Sequence, residues 1–236
     1  PDHLDRHGDM DGYVAAKKRL FALQSPGQLA VVGVDDDESR AVFDELAGQK
    51  GRRVTPVSCM GPVDHGIFVE DGLLYDATTP HVSPAMADLS KGHMIGSHNW
   101  QNAAAAFAIA TELGCAPEPA AQALLDFPGL PHRLEMVGEV DGVRFINDSK
   151  ATNMDAAARA LDCFSNIYWI AGGRPKEMGL EVLAPLFGKI RHAFLIGEAT
   201  ESFAAALASS VPFTRSGDLA HAIADARGRA LQEGRE

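Results

Sequence analysis

Short apolar runs alternate with longer amphipathic stretches along much of this 236-residue chain. "QLAVVGV" (28–34) is apolar on both faces and reads as a buried strand. The acid-led "DDDESRAVFDELAGQ" that follows reads as a helix whose carboxylates suit the positive end of its dipole. "RRVTPVS" predicts another strand. "HGIFVEDGLLYDA" predicts a hairpin folded at Asp71-Gly72, a pair that suits the positive φ angles of a two-residue turn. "HNWQNAAAAFAIATELG" and "PEPAAQALLDF" have helical periodicity. Ahead of them all, residues 11–24 predict an amphipathic helix with Tyr13, Ala16, Leu20 and Phe21 on one face and Lys17 and Lys18 near its middle.

"PGLPHRLE" (128–135) breaks this rhythm with two prolines and a glycine in eight residues, as a hinge or domain boundary does. It divides the chain into residues 1–130 and 131–236. Past it comes a hairpin, "MVGEVDGVRFIN", and then the helix "NMDAAARALDCF". The strand "NIYWIAGG", the helix "LEVLAPLFGKI", the strand "HAFLIG", the helix "ESFAAALAS" and a last helix near 217–231 follow in turn. Strands and helices at this spacing predict an α/β fold with a mostly parallel sheet under helical cover. The first residues open straight into a cluster of polar groups with no strand before it, and the alternation calls for one more strand after "LQEGRE". The chain is therefore expected to be part of a longer protein.

Composition narrows the function by exclusion. A net charge of −11 and a pI near 5.2 argue against a nucleic-acid surface, which needs a basic patch. No apolar run approaches a membrane span, so no membrane insertion is expected. Cys59, Cys115 and Cys163 lie far apart without a CxxC pair, which suggests neither a zinc site nor a disulfide framework and fits a reducing cytoplasm.

The candidate chemistry sits in four short stretches. "NDSKATN" (147–153) crowds hydrogen-bonding side chains between a strand and an alanine-rich helix. It reads either as a solvated loop with Thr152 or Asn153 as helix cap, or as a ligand site at a strand's carboxyl end. "IAGGRPKEMG" (170–179) runs a strand into Gly172 and Gly173, with Arg174 and Lys176 to meet an anion; alone it also reads as an ordinary turn. In "SHNWQNAAAA", Asn99 and Asn102 share a helical face, and an amide's paired donor and acceptor fits the edge of a base such as adenine; a capping Asn beside a surface residue is the plainer reading. "PDHLDRH" offers His3 among carboxylates as a metal ligand. A Gly-x4-Gly-Lys-Ser/Thr phosphate loop occurs nowhere in the chain.

In order, "DHLDRH…YVAAKKR", "HNWQNAAAA", "GLPHRLE", "NDSKATN" and "GGRPK" resemble the Mur ligases of bacterial cell-wall synthesis, and among them the branch that adds D-glutamate. The resemblance covers essentially the whole chain. It implies the later part of a central ATPase domain followed by a Rossmann-like, amino-acid-binding C-terminal domain. The UDP-binding domain, the P-loop and the extreme C-terminus of the family have no counterpart here. It implies ATP and Mg2+ as cofactors, and UDP-N-acetylmuramoyl-L-alanine and D-glutamate as substrates. It also implies a monomeric full-length enzyme that forms an amide through an acyl phosphate.

Residue by residue, the resemblance makes His3 a magnesium ligand and Lys17 a lysine that acts as its carbamate. Asn99 and Asn102 meet the adenine, and Arg133 and Asp148 meet the ribose and phosphates. Lys150, Thr152 and Lys176 meet the incoming amino acid or the reacting acyl group, with Lys150 and Lys17 as the catalytic pair. Another Mur ligase, a folylpolyglutamate-synthase-like ligase and a non-catalytic nucleotide-binding module stay open as alternatives.

Overall fold

A computed structural model describes residues 4–174 and 179–233 of the chain, which forms two compact units, residues 1–129 and 130–236. His3 and Lys176 both lie outside the described residues.

The first unit begins with α1 (Leu4–His7) and α2 (Met10–Ala22), then β1 (Leu29–Gly33), α3 (Asp37–Ala47) and β2 (Arg53–Ser58). The strands β3 (Ile67–Glu70), β4 (Leu73–Asp76) and β5 (Ala87–Asp88) follow, with the helices α4 (Ser97–Glu112) and α5 (Pro117–Asp126) closing the unit. The five strands form one sheet in sequence order, parallel from β1 to β3 and antiparallel from β3 to β5. The β3–β4 hairpin turns at Asp71 (φ 49°) and Gly72 (φ 81°), the positive pair its sequence calls for.

Side-chain alternation along β1 decides what covers each face. Ala30 and Val32 pack with Phe21 of α2 and with Val42, Phe43 and Leu46 of α3. Val31 points the other way, against a core that includes Ala103, Ala104 and Phe107 of α4. The sheet thus carries α2 and α3 on one side and α4 on the other. Of the apolar face predicted for α2, Phe21 joins a core, whereas Leu20 is 68% exposed and none of the helix's described side chains is fully buried.

The second unit opens with a separate antiparallel hairpin, β6 (Glu135–Val140) and β7 (Val143–Asn147), turned at Asp141-Gly142. Next come α6 (Met154–Asp162), β8 (Ile167–Gly172), β9 (Ile190–Ile196), α7 (Thr200–Leu207), β10 (Phe213–Gly217) and α8 (Leu219–Gln232). The strands β10-β9-β8 form an all-parallel sheet. Ala193 and Leu195 of β9 face the core built with α6 and α7, while Phe194 packs against Ala222 and Ala226 of α8. Both faces are covered, as a parallel sheet requires.

One local expectation changes. Residues 180–189 wind as a 3-10 helix, Leu180–Lys189, with Pro185 inside it. A proline there removes one N–H and crowds the carbonyl four residues back, so an α-helix is disfavoured. The strand β10 falls in "PFTRSG", where the apolar signal is too short to show.

Candidate functional site

In the first unit, the carboxyl ends of β1 and β2 and the start of α4 meet around the carboxylate of Asp35, which nothing in the local sequence marks out. Asp35 accepts from Ser58 Oγ at 2.6 Å, from the Cys59 N–H at 2.8 Å and from Gln101 Nε2 at 2.6 Å, with Cys59 Sγ at 3.1 Å. Those donors occupy its lone pairs, so Asp35 acts as a clamp between two strand ends and a helix. Gly33 makes room for it: a side chain there would bring a Cβ within 3.1 Å of the Gln101 amide. Within "DDDES" the helix cap is Asp36, whose Oδ1 takes the Ser39 N–H at 2.8 Å, leaving the preceding Asp35 to turn toward the sheet.

Asn99 and Asn102 lie in the first turns of α4, on either side of the clamped Gln101. The helix caps on Gly96 (φ 94°) without a side-chain bond, so neither asparagine is the N-cap. Asn99 is half-buried and donates its side-chain N–H to the Ile95 carbonyl at 2.7 Å; Asn102 is exposed. Lys17 sits on α2 across the sheet from α4. It is exposed, with its ammonium 5.4 Å from the centre of the Tyr13 ring. Neighbouring Lys18 hydrogen-bonds Glu45 of α3.

In the second unit, "GLPHRLE" and "NDSKATN" interlock. Asp148 Oδ1 accepts the Leu134 N–H at 3.0 Å, and the Lys150 N–H reaches the His132 carbonyl at 3.1 Å. Glu135 accepts the His132 N–H at 2.8 Å. The chain kinks on both sides of Arg133, with His132 at φ 66° and Leu134 at φ 47°, while the Arg133 side chain is exposed. Burial pushes the Asp148 carboxyl above its ordinary value; the Leu134 N–H and the Arg133 charge draw it back in part. Lys150 and Thr152 are exposed on the loop that follows. Asn153, rather than Thr152, caps α6 by accepting the Ala156 N–H at 2.8 Å.

At the carboxyl end of the parallel sheet, β8 runs into Gly172 and Gly173, and Arg174 stands exposed 4.0 Å from Glu198. The structure thus groups Arg133, Asp148, Lys150 and Thr152 on one pair of interlocked loops. It places Asn99 and Asn102 on one helix and Lys17 on the other side of that unit's sheet.

Comparison with known proteins matches both units in chain order. Residues 1–110 match the Mur ligase middle domain, and residues 132–235 match the Mur ligase glutamate ligase domain. The chain belongs to the Mur ligase family. Two UDP-N-acetylmuramoylalanine--D-glutamate ligases are close in sequence. The one from Paramagnetospirillum magneticum is 48% identical over 99% of this chain and 50% of its own length; the one from Caulobacter sp. is 45% identical over 100% and 50%. The chain therefore spans about half the length of the curated relatives it matches. Among solved structures, the UDP-N-acetylmuramate-alanine ligase of Thermotoga maritima superposes with a TM-score of 0.63 at 15% identity, covering 99% of this chain and 58% of its own. That likeness shows the Mur ligase fold.

His3, the expected metal ligand, lies outside the described residues. Among the described residues no group of three or more His, Cys, Asp or Glu side chains could hold a metal ion. Lys17 as a free ammonium has no lone pair to offer a hard cation; only its carbamate would present oxygens.

Proposed function

We propose that this chain supplies the adenine-side and amino-acid-side groups of an ATP-dependent ligase that joins D-glutamate to UDP-N-acetylmuramoyl-L-alanine in peptidoglycan synthesis. The observation that carries this is the hydrogen-bonded lock between "GLPHRLE" and "NDSKATN", the two loops that carry Arg133, Asp148, Lys150 and Thr152. The names of the 45–48% identical relatives support that substrate pair over other amino acids. Among the described residues no helix is long and apolar enough to cross a membrane.

In this reading Asn99 and Asn102 recognise the adenine edge, held in place through the Asp35–Gln101 clamp. Arg133 pairs with phosphate oxygens, for which an exposed guanidinium is well suited. Asp148, fixed by the Leu134 N–H, accepts from the ribose. Lys150 steadies negative charge that develops as the substrate carboxylate becomes an acyl phosphate, and Lys176 and Thr152 orient D-glutamate for amine attack. Magnesium, where bound, would supply charge neutralisation on the phosphates. The described residues do not by themselves build its site, and His3 and the carbamate of Lys17 are the proposed contributors.

The test uses a protein of the relatives' full length that carries this chain. Lys17→Ala should abolish D-glutamate ligation, and short carboxylic acids should restore part of it by standing in for the carbamate. Full activity in that variant would refute the role given to Lys17. A wild-type protein that ligates another amino acid would refute the substrate.

A further inference from the structure

Asn147 and His132 make a contact whose donor and acceptor are settled by a third group. The Asn147 Oδ1 accepts the Ser149 N–H at 3.1 Å, which turns the amide so that its Nδ2 lies 2.9 Å from His132 Nδ1. Glu135 Oε2, 3.4 Å from the same Nδ2, favours that orientation again, since a carboxylate only accepts. An amide NH2 can only donate. His132 Nδ1 is therefore the acceptor, and the proton of the neutral ring sits on Nε2. Glu135 Oε2 lies 3.9 Å from Nδ1, too far to compete for it, and spends its short bond on the His132 backbone N–H. The His132 side chain is 53% exposed, so a ligand can reach the ring.

We propose that Asn147 is a positioning residue that holds His132 as its Nε2–H tautomer, giving a neutral, directed N–H donor beside the Arg133 charge for an oxygen of the bound anionic substrate. His132 and Arg133 are consecutive on a backbone kinked at both ends, which fixes where the ring and the guanidinium leave the chain. Arginine supplies attraction that varies slowly with angle. A neutral N–H supplies a bond that is lost when the acceptor oxygen moves, and so adds discrimination without a second charge. The substrate part of this proposal rests on the ligase reading; the tautomer part does not.

The tautomer is read directly on this chain. Long-range 1H–15N correlation spectra of the 15N-labelled protein at about pH 8, above the ordinary imidazole range, are expected to show His132 in the Nε2–H pattern. In Asn147→Asp the side chain can only accept, and the ring should switch to the Nδ1–H pattern. In Asn147→Ala the preference should be lost and a mixture appear. Backbone amide spectra check that each variant is folded, and the alanine variant serves if the aspartate variant is not. A wild-type ring in the Nδ1–H form, or an unchanged pattern in a folded variant, overturns the proposal.

In the longer ligase, Asn147→Asp should raise the KM for an anionic substrate about tenfold, the loss of one directed hydrogen bond, with a smaller change in kcat. An unchanged KM overturns the donor role. A wild-type protein without ligase activity would instead refute the ligase reading and leave the tautomer result standing.

Discussion

A Cβ on Gly172 would stand 1.8 Å from the carbonyl oxygen of Ile196. The strand β8 ends pressed against β9, and the next residue, Gly173, donates its N–H to that same oxygen at 3.1 Å. With φ at 147°, Gly172 occupies a region that side-chain-bearing residues rarely adopt. Gly172→Ala must therefore both strain the backbone and push the strands apart at the end of β8. The variant should lose about 2 kcal/mol or more of stability in the second unit, read by urea unfolding. An unchanged midpoint would show that the two strand ends separate freely.

Asp148 carries a pH signature of the opposite kind from an ordinary ion pair. Burial raises its carboxyl above the usual 3.8 more than its partners lower it. The folded state then binds the proton more tightly than the unfolded chain. The stability from this group is fully present below 3.8 and is lost as pH rises through the higher folded value. Asparagine keeps an oxygen for the Leu134 N–H without the buried charge. Asp148→Asn should therefore melt at a higher temperature than wild type at neutral pH, with the gap closing in acid, while the ligation proposed for the longer protein should fall if Asp148 meets the ribose. A variant less stable than wild type at pH 7 would contradict this reading.

His192 supplies the acid limit. The residue is 4% exposed on β9; its Nε2 contacts Thr214 Oγ1 at 2.9 Å and its Nδ1 has no partner among the described residues. Burial lowers its pKa below 6.5, Arg229 of α8 lowers it further, and Glu233 opposes them while itself accepting from Tyr168 of β8. A base depressed in the folded state contributes stability that is full above 6.5 and is lost as pH falls below it. The second unit should weaken between neutral pH and about pH 5, and His192→Gln should flatten that slope in denaturant titrations at the two pH values. An equally steep slope in the variant would place the acid sensitivity elsewhere.

Asp35 is expected to matter without touching substrate. Asp35→Ala leaves Ser58, Gln101 and the Cys59 N–H without their shared acceptor. Loss of charge-assisted bonds at a partly buried site should cost about 2–3 kcal/mol. Amide exchange in the first turns of α4 should quicken as Gln101 is released. Exchange unchanged at Asn99 and Asn102 would show that the clamp does not steady that helix.

Much of this architecture is legible in the sequence because local chemistry and fold agree. Asp71-Gly72 and Asp141-Gly142 announce their hairpins, and the Ala103, Ala104 and Phe107 face of α4 shows its period. The misses occur where a residue's job depends on distant partners. Asp35 reads as one more acid at a helix start, because nothing local says that Ser58 and Gln101 arrive at its carboxylate. Phe213–Gly217 carries no assignment from the sequence, since its strand character comes from pairing with β9 and its polar residues hide the period. Leu20 reads as a core residue from its spacing, yet packing places it in solvent. On the functional side, the stretches "GLPHRLE" and "NDSKATN" are visible as motifs, but their interlocking is a tertiary fact.

The kink around Arg133 has an entropic consequence. An exposed arginine on an ordinary loop samples many backbone states, and a ligand that captures it must reduce them all at the moment of contact. Here His132 and Leu134 hold left-handed geometry through bonds to Glu135 and Asp148, so the direction in which Arg133 leaves the chain is settled during folding. Ordering one residue's backbone costs on the order of 1–2 kcal/mol. That cost is incurred during folding, so in the phosphate-binding role proposed for Arg133 the affinity is free of it.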